Sequence, residues 1–428
     1  MKKAILVSSL ICLICFAGLL FLFGQPAEAP LTSPLSSPPT PPPEKNIIIT
    51  AVGDIMMHST QIRAGYQPDT ETYDFSSFFR LVKPHLEKAH FVIGNLETTL
   101  GTNRAHYGGY PRFNAPAVLA KNLKDAGFHL LTTANNHALD RGITGLQNTL
   151  QHLDEVGLLH TGTARSQEEK ETILITEIES VKTAFLAYTY GTNGLQPPAD
   201  YPFAVNYINE EEITEDIKKA REAGAQLIVL CLHFGQEYQN KPNQAQTALA
   251  QKFLQAGADI ILGTHPHVLQ PSQVCYLQST AETAGDGEGD ERQEGSGDEE
   301  ISGNGEKKFV SYSLGNFISD QNGLPRKTAI ILNLHFGVDS LTGKPYFKKA
   351  DYLPIWTRKY SQNDKLCFEV VPIEQALNEI RAGKTTGYTP AEVQTLEQAW
   401  EHALSCLATE DADFCLQEIN KFKKQEIK

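Results

Sequence analysis

Six β-rich runs in this 428-residue chain end on side chains that hold metals or move protons. Residues 47–53, IIITAVG, lead to Asp54, and 90–95, HFVIGN, lead to Glu97. The run 129–134, HLLTTA, opens into Asn135, Asn136, His137 and Asp140. The run 227–232, LIVLCL, is followed by His233 and, four residues on, Glu237. DIIL (259–262) leads to His265 and His267 in GTHPH, and VSYSL (310–314) leads to Gly315 and Asn316. Each residue has an ordinary use. An aspartate after a strand caps helices, an Asn-Asn-His triplet makes a polar turn, and a single buried histidine is held by hydrogen bonds. Six such strand ends together point elsewhere, because open sheets flanked by helices bind ligands beyond the carboxyl ends of their strands.

The donor types suggest the ligand. Carboxylate, amide oxygen and imidazole without thiolate suit Mn²⁺, Fe or Zn²⁺. A strand alternates its side chains, so His265 and His267 are expected to point the same way and grip one ion or two neighbours. Pro266 between them stiffens the turn. One bridging carboxylate could hold two divalent ions about 3.5–4 Å apart, the spacing that activates a water and clamps a phosphoryl group.

The elements that must position these residues alternate. From Asn46 the chain reads strand, helix, strand, with predicted helices from Phe75 (FSSFFRLVKPHLEKA), at 116–127, 145–157, 210–223 and 245–256. TILITEI and VKTAFLAYT form a predicted hairpin. This is an α/β (α+β) pattern, with helices packed outside a mixed sheet. Residues 279–307 carry ten acidic and two basic residues, many glycines and no aromatic residue, which predicts a disordered insertion. The sheet pattern resumes at KFVSYSLGNF and KTAIILNLHF. After Asp339 a C-terminal extension, 339–428, is predicted as strands followed by helices near 372–382, 390–407 and 409–425.

The ends of the chain bear on location. Residues 4–23 form an uncharged, mostly apolar stretch of 20, preceded by Lys2 and Lys3. That length spans a bilayer as a helix, and the lysines predict a cytoplasmic N-terminus. The predicted organisation is a signal-anchor over 1–24 and a proline-rich spacer over 25–45 with eight prolines. A principal domain follows over 46–338, on the outer face of a cell membrane. The alternative is a signal peptide cleaved after Ala27-Glu28-Ala29, giving a secreted protein. The net charge of −14 argues against a nucleic-acid partner. Beyond Cys12 and Cys15 in the apolar stretch, the five remaining cysteines show no CxxC spacing, so a cysteine metal site is not expected. Cys231 reads as core, and Cys406 with Cys415 could pair between two helices.

The ordered set GD (53–54), GNLE (94–97), NNH (135–137), HFGQEY (233–238), GTHPHV (263–268) and SLGNF (313–317) resembles the CapA family of poly-γ-glutamate capsule synthesis. The likeness covers Ile47 to Asp320, interrupted by the acidic insertion. That family is similar in turn to the calcineurin-like metallophosphoesterases. The resemblance implies a four-layer sandwich of two mixed β-sheets with helices outside, and a site for two divalent ions. It implies metal ligation by Asp54, Glu97 as the bridging carboxylate, Asn136, His233, His265 and His267, with His137 as general acid. The chain departs from the phosphoesterase pattern in three ways. The Asp-x-His of the first motif is missing, since Ile55 and Met56 follow Asp54 and the nearest histidine is His58. The bridging group is a glutamate rather than an aspartate. Glu237 has no counterpart. His58, Glu237 and Asn316 are therefore further candidates for metal or substrate, and Arg112, in YPRFNAP, is a candidate for gripping a carboxylate or phosphate bidentately.

With the apolar stretch 4–23, the reading is a membrane-anchored, extracytoplasmic protein similar to that family. It would act in synthesis, export, anchoring or trimming of poly-γ-glutamate or a related anionic envelope polymer, with membrane synthase subunits as candidate partners. If catalytic, an activated water attacks, positive charge stabilises the developing oxyanion, and His137 protonates the leaving group. Phosphoester and amide-bond hydrolysis both fit this chemistry. Two other readings stand beside it: a general extracellular metallophosphoesterase, and a non-catalytic polymer-binding subunit of a synthase complex.

Overall fold

The computed structural model describes residues 45–277, 306–384 and 387–407. The predicted anchor, the spacer up to residue 44, almost all of the acidic insertion, the last predicted helix and Cys415 lie outside these residues. No helix among the described residues is long and apolar enough to cross a membrane.

Two sheets carry the structure. The first has the order Lys365–Pro372, Pro345–Gln362, Thr328–Val338, Asn46–Ile55, Phe91–Leu96, Leu130–Thr132 and Leu159–Thr161, with Asn316–Ile318 also paired to Asn46–Ile55. Its Asn46–Ile55 to Leu159–Thr161 half is parallel, and its C-terminal half is antiparallel. The second has the order Leu269–Leu277, Glu306–Leu314, Ile260–Thr264, Leu227–His233, Val181–Thr189 and Leu174–Ile178. Its four inner strands are parallel, and an antiparallel strand closes each edge.

The sheets face each other across an apolar layer. Ile49, Ala51, Phe91, Ile93 and Leu332 from the first meet Phe185, Val229, Ile260, Leu262 and Phe309 from the second. The Phe91 and Phe185 rings stack at 5.0 Å across this layer. The first sheet's outer face is covered by the Val118–Asp125 helix and the aromatic cluster Phe75, Phe78, Phe79 and Phe128. The second sheet's outer face is covered by Glu210–Glu222 and Gln244–Ala256 through Ile213, Ile217, Phe253 and Leu254. This is the four-layer sandwich of two mixed sheets that the resemblance implied.

Both faces of the central strands are buried, so these strands read as continuous apolar runs rather than alternating ones. Two local expectations fail. The single helix expected from Phe75 is two short ones, Ser76–Phe79 and Lys83–Leu86. Pro84 has no N–H to continue an i→i−4 ladder back to Arg80, so the first helix ends and a second starts with the proline in its first turn. The Leu269–Leu277 strand is not announced by the sequence pattern, because Pro271 argues against a strand. It lies at the sheet edge, where proline removes no ladder bond that matters.

The region after Asp339 continues the first sheet through Pro345–Gln362 and Lys365–Pro372, then supplies the helices Ile373–Arg381 and Pro390–Leu407. Cys231 is buried in the apolar layer, as expected. Cys406 is a buried free thiol near His402.

Candidate metal centre

The parallel strands of both sheets end on the same side, and their polar ends converge. Two glycines permit this. A Cβ on Gly53 would lie 1.8 Å from the Gly315 carbonyl oxygen, and one on Gly263 would lie 2.0 Å from that of Tyr312. Only glycine lets these backbones approach, which accounts for the glycines of the GD and GTHPH motifs.

Asp54, fully buried, forms the floor. Its Oδ1 accepts from Asn95 Nδ2 at 2.8 Å, and its Oδ2 accepts from His267 Nδ1 at 3.1 Å. Glu97 follows the Phe91–Leu96 strand, held by a 3.0 Å bond from its N–H to the Ile55 carbonyl. His233 ends its strand with Nδ1 3.0 Å from Thr264 Oγ1 and Nε2 3.0 Å from Asn136 Oδ1. Asn136 in turn donates to Asn193 Oδ1 at 3.3 Å, which turns its carbonyl oxygen toward His233.

His265 and His267 do not lie on a strand. Ile260–Thr264 stops before them, and both adopt left-handed backbone, with φ of +96° and +59°. Strand alternation therefore does not align them, contrary to expectation. A strained turn does so instead, leaving the ring centroids 6.0 Å apart. Non-glycine residues in this region cost about 1–3 kcal/mol each and gather at functional sites. His267 Nδ1 also lies 3.0 Å from Asn316 Oδ1, while Asn316 Nδ2 donates to Gln321 Oε1 and the Arg326 carbonyl. Asn316 thus orients His267 and leaves its Nε2 facing Glu97.

His137 donates from Nδ1 to Asp140 Oδ2 at 2.7 Å, and that carboxylate also accepts from the Phe113 N–H at 2.6 Å. Its Nε2 stands 4.0 Å from Glu97. His58 is placed apart. Its Nδ1 lies 3.2 Å from Gln61 Oε1 and accepts from the Asp320 N–H at 3.3 Å, and its ring meets Phe113 edge-on. Arg112 is exposed at the rim of a cleft of about 460 Å³, lined also by Met56, Tyr110, Asn136, His137, Asn193, Glu237, Tyr238 and His267.

Glu97 tests whether these residues fit a cation. Both of its carboxylate oxygens are buried without a hydrogen-bond partner in the protein. Oε1 is ringed by imidazole nitrogens of His267 at 3.7 Å, His233 at 3.8 Å and His137 at 4.0 Å, too far for hydrogen bonds. Burial, with Asp54 adding repulsion, pushes the Glu97 carboxyl well above the usual range. Burial and the neighbouring rings hold His233 well below the ordinary histidine value, and His265 is lowered to about 3 for the same reasons. Imidazoles around a buried carboxylate without a hydrogen-bond partner are a donor set that lacks its acceptor. The acceptor that suits these atoms is a metal ion. Two groups stand close enough to hold one: Asp54, Glu97 and His233, and Glu237, His265 and His267.

Sequence reasoning misses the residues that orient the set. Asn95 follows a strand's apolar stretch and carries a signal that could be read. Thr264, Asn193 and Tyr190 do not. The Tyr190 ring lies tilted against His265 with centroids 4.5 Å apart and stacks on His233 at 6.3 Å, from a loop distant in sequence.

Fold and site define a sandwich of two mixed sheets with a carboxylate–imidazole centre at the ends of its strands. Residues 48–321 match the family described as bacterial capsule synthesis protein PGA_cap, and the chain belongs to that family. It is 30% identical over 301 residues to the capsule biosynthesis protein CapA of Bacillus anthracis, covering 68% of this chain and 64% of that one. It is 30% identical over 292 residues to the PGA biosynthesis protein CapA of Bacillus subtilis (strain 168), covering 66% of each. The match thus spans just under two thirds of these relatives' length. Among solved structures, the calcineurin-like phosphoesterase YfkN of Bacillus subtilis is similar at 15% identity and a TM-score of 0.41, covering 85% of this chain and 99% of that one. The Haemophilus influenzae NAD nucleotidase is similar at 13% identity and 0.43, covering 90% and 68%.

Proposed function

We propose that this chain is a metal-dependent hydrolase of the bacterial envelope that cleaves within, or at the end of, a γ-glutamyl or related anionic polymer. The observation that carries the reading is Glu97, a buried carboxylate with two unpartnered oxygens inside a ring of imidazoles. Asp54, Glu97, Asn136, His233, His265 and His267 would hold two divalent ions of Mn, Fe or Zn type. When bound, these ions supply positive charge that acidifies a water and polarises the bond to be cut.

The chain's own residues do the rest. Asp140 fixes the His137 ring, so that Nδ1 donates inward and Nε2 delivers a proton to the leaving group. Asn95 and Asn316 hold Asp54 and His267 in place. Arg112 at the cleft rim grips a substrate carboxylate by two parallel N–H bonds, which selects an anionic chain despite the net charge of −14. The apolar stretch 4–23 would anchor the chain with this domain outside the cytoplasm.

The test offers two substrate classes to the purified full chain: γ-glutamyl oligomers and an aryl phosphate, with and without chelator. Chelator-sensitive shortening of the oligomers is the expected result. Turnover of the phosphate alone would make the protein a general extracellular phosphoesterase. Turnover of neither, with co-purifying synthase subunits, would make it an assembly subunit.

A further inference from the structure

Glu237 is a ligand-type side chain of the cleft to which the proposed function gives no role. It sits four residues past His233, on a loop folded back over the His265-Pro266-His267 turn. Gly235 adopts φ +102° and Tyr238 φ +66°, and the Tyr238 N–H donates to the Pro266 carbonyl at 2.8 Å. The loop is thus tied to the turn that carries both histidines. One ligand atom each of Glu237, His265 and His267 lies within 4.8 Å of the others. Opposite ligands of one ion at about 2.0–2.2 Å stand roughly 4 Å apart, the same scale.

Two further observations point to a cation there. His265 is 3% exposed, yet its Nδ1 has no hydrogen-bond partner. No ion pair of the described residues engages Glu237, whose carboxylate has only the neighbouring Tyr238 hydroxyl as a side-chain hydrogen-bond donor. The alternatives nearby are poor. Met56 lines the cleft with a thioether, a soft donor ill-suited to Mn²⁺, and the Nδ1 of His58 is held by Gln61 and the Asp320 N–H.

We infer that Glu237 is a metal ligand, completing with His265 and His267 one of the two ion positions. This supplies the donor that the missing Asp-x-His histidine leaves absent. It also gives the pair a third carboxylate, with Asp54 and Glu97, against the charge of two divalent ions. The inference rests on the two-ion reading above.

The test is a Mn²⁺ titration of the full-length chain, stripped of metal, with free ion followed by electron paramagnetic resonance and folding checked by thermal melting. Wild type binds two ions. Glu237→Gln, a half-buried change that keeps the side chain's shape, retains one and binds the second at least about 10-fold more weakly. Glu237→His, which restores a donor, recovers part of that loss. Two ions bound by Glu237→Gln with wild-type affinity overturns the inference and leaves the centre intact. No ion bound by wild type overturns both.

Discussion

Replacing Glu97 by glutamine should reverse its effect on stability according to whether metal is present. Without metal, the wild-type protein holds an ionisable carboxyl at zero exposure with neither oxygen bonded and Asp54 beside it. Leaving such a group unsatisfied costs on the order of 2–3 kcal/mol, and more if it is charged. Glutamine keeps the shape and removes the charge beside ring nitrogens 3.7–4.0 Å away. With roughly 330 described residues, unfolding entropy converts 1 kcal/mol to about 1.4 °C, so the variant should melt about 3–4 °C higher in chelator. The sign with pH follows from the raised carboxyl. The pH-dependent part of its cost is absent below the unfolded value of about 4.5 and complete once pH exceeds its folded value. The variant's advantage should therefore fade as pH falls toward about 4.5. In Mn²⁺ at about 100 times Kd, wild type gains about 2.7 kcal/mol per site, and the variant gains little, so the order inverts. Melting curves in chelator and in Mn²⁺ measure both halves. A variant that melts lower than wild type in chelator, or gains as much from Mn²⁺, would refute the reasoning, since Glu97 would then be a structural group.

Further outcomes follow from the same geometry. Asn316→Ala frees the His267 ring and should weaken metal binding about 10–100-fold without unfolding the protein, read by calorimetric titration. Asp140→Asn should leave metal content unchanged while lowering kcat about 10²-fold and altering the acid limb of the pH–rate profile. His265 has a folded value of about 3 against about 6.5 unfolded. The metal-free protein should therefore lose stability as pH falls from about 6.5 toward 3, because the unfolded chain takes up the proton first. His265→Asn should flatten that loss in acid-melting curves. Arg112→Ala should raise KM for anionic oligomers at least about 10-fold and change kcat much less.

Much of the centre is legible in the amino-acid sequence because its residues follow apolar runs. Asp54, Glu97, Asn136, His137, His233, His265 and His267 each mark where a buried strand meets a polar cleft, and all seven converge. The residues that orient them carry no such mark. Asn193 and Tyr190 reach the site from a loop after Val181–Thr189, and only tertiary folding brings them to Asn136 and His265. Strand alternation points to the His265–His267 pair for an incorrect reason, since backbone strain is what aims the rings. Helix boundaries follow the glycines, as at Gly127 and Gly157, both left-handed. The split at Pro84 shows a local steric rule overriding an amphipathic pattern.

Metal content tests the central claim most directly. The full chain, purified without chelator or metal-binding tag and reconstituted with Mn²⁺ or Zn²⁺, should carry about two ions per chain. A His265→Ala/His267→Ala variant of unchanged fold should lose them. No bound metal in either protein after reconstitution would contradict the account and leave Glu97 and its imidazole ring to be explained as polymer-binding or purely structural groups.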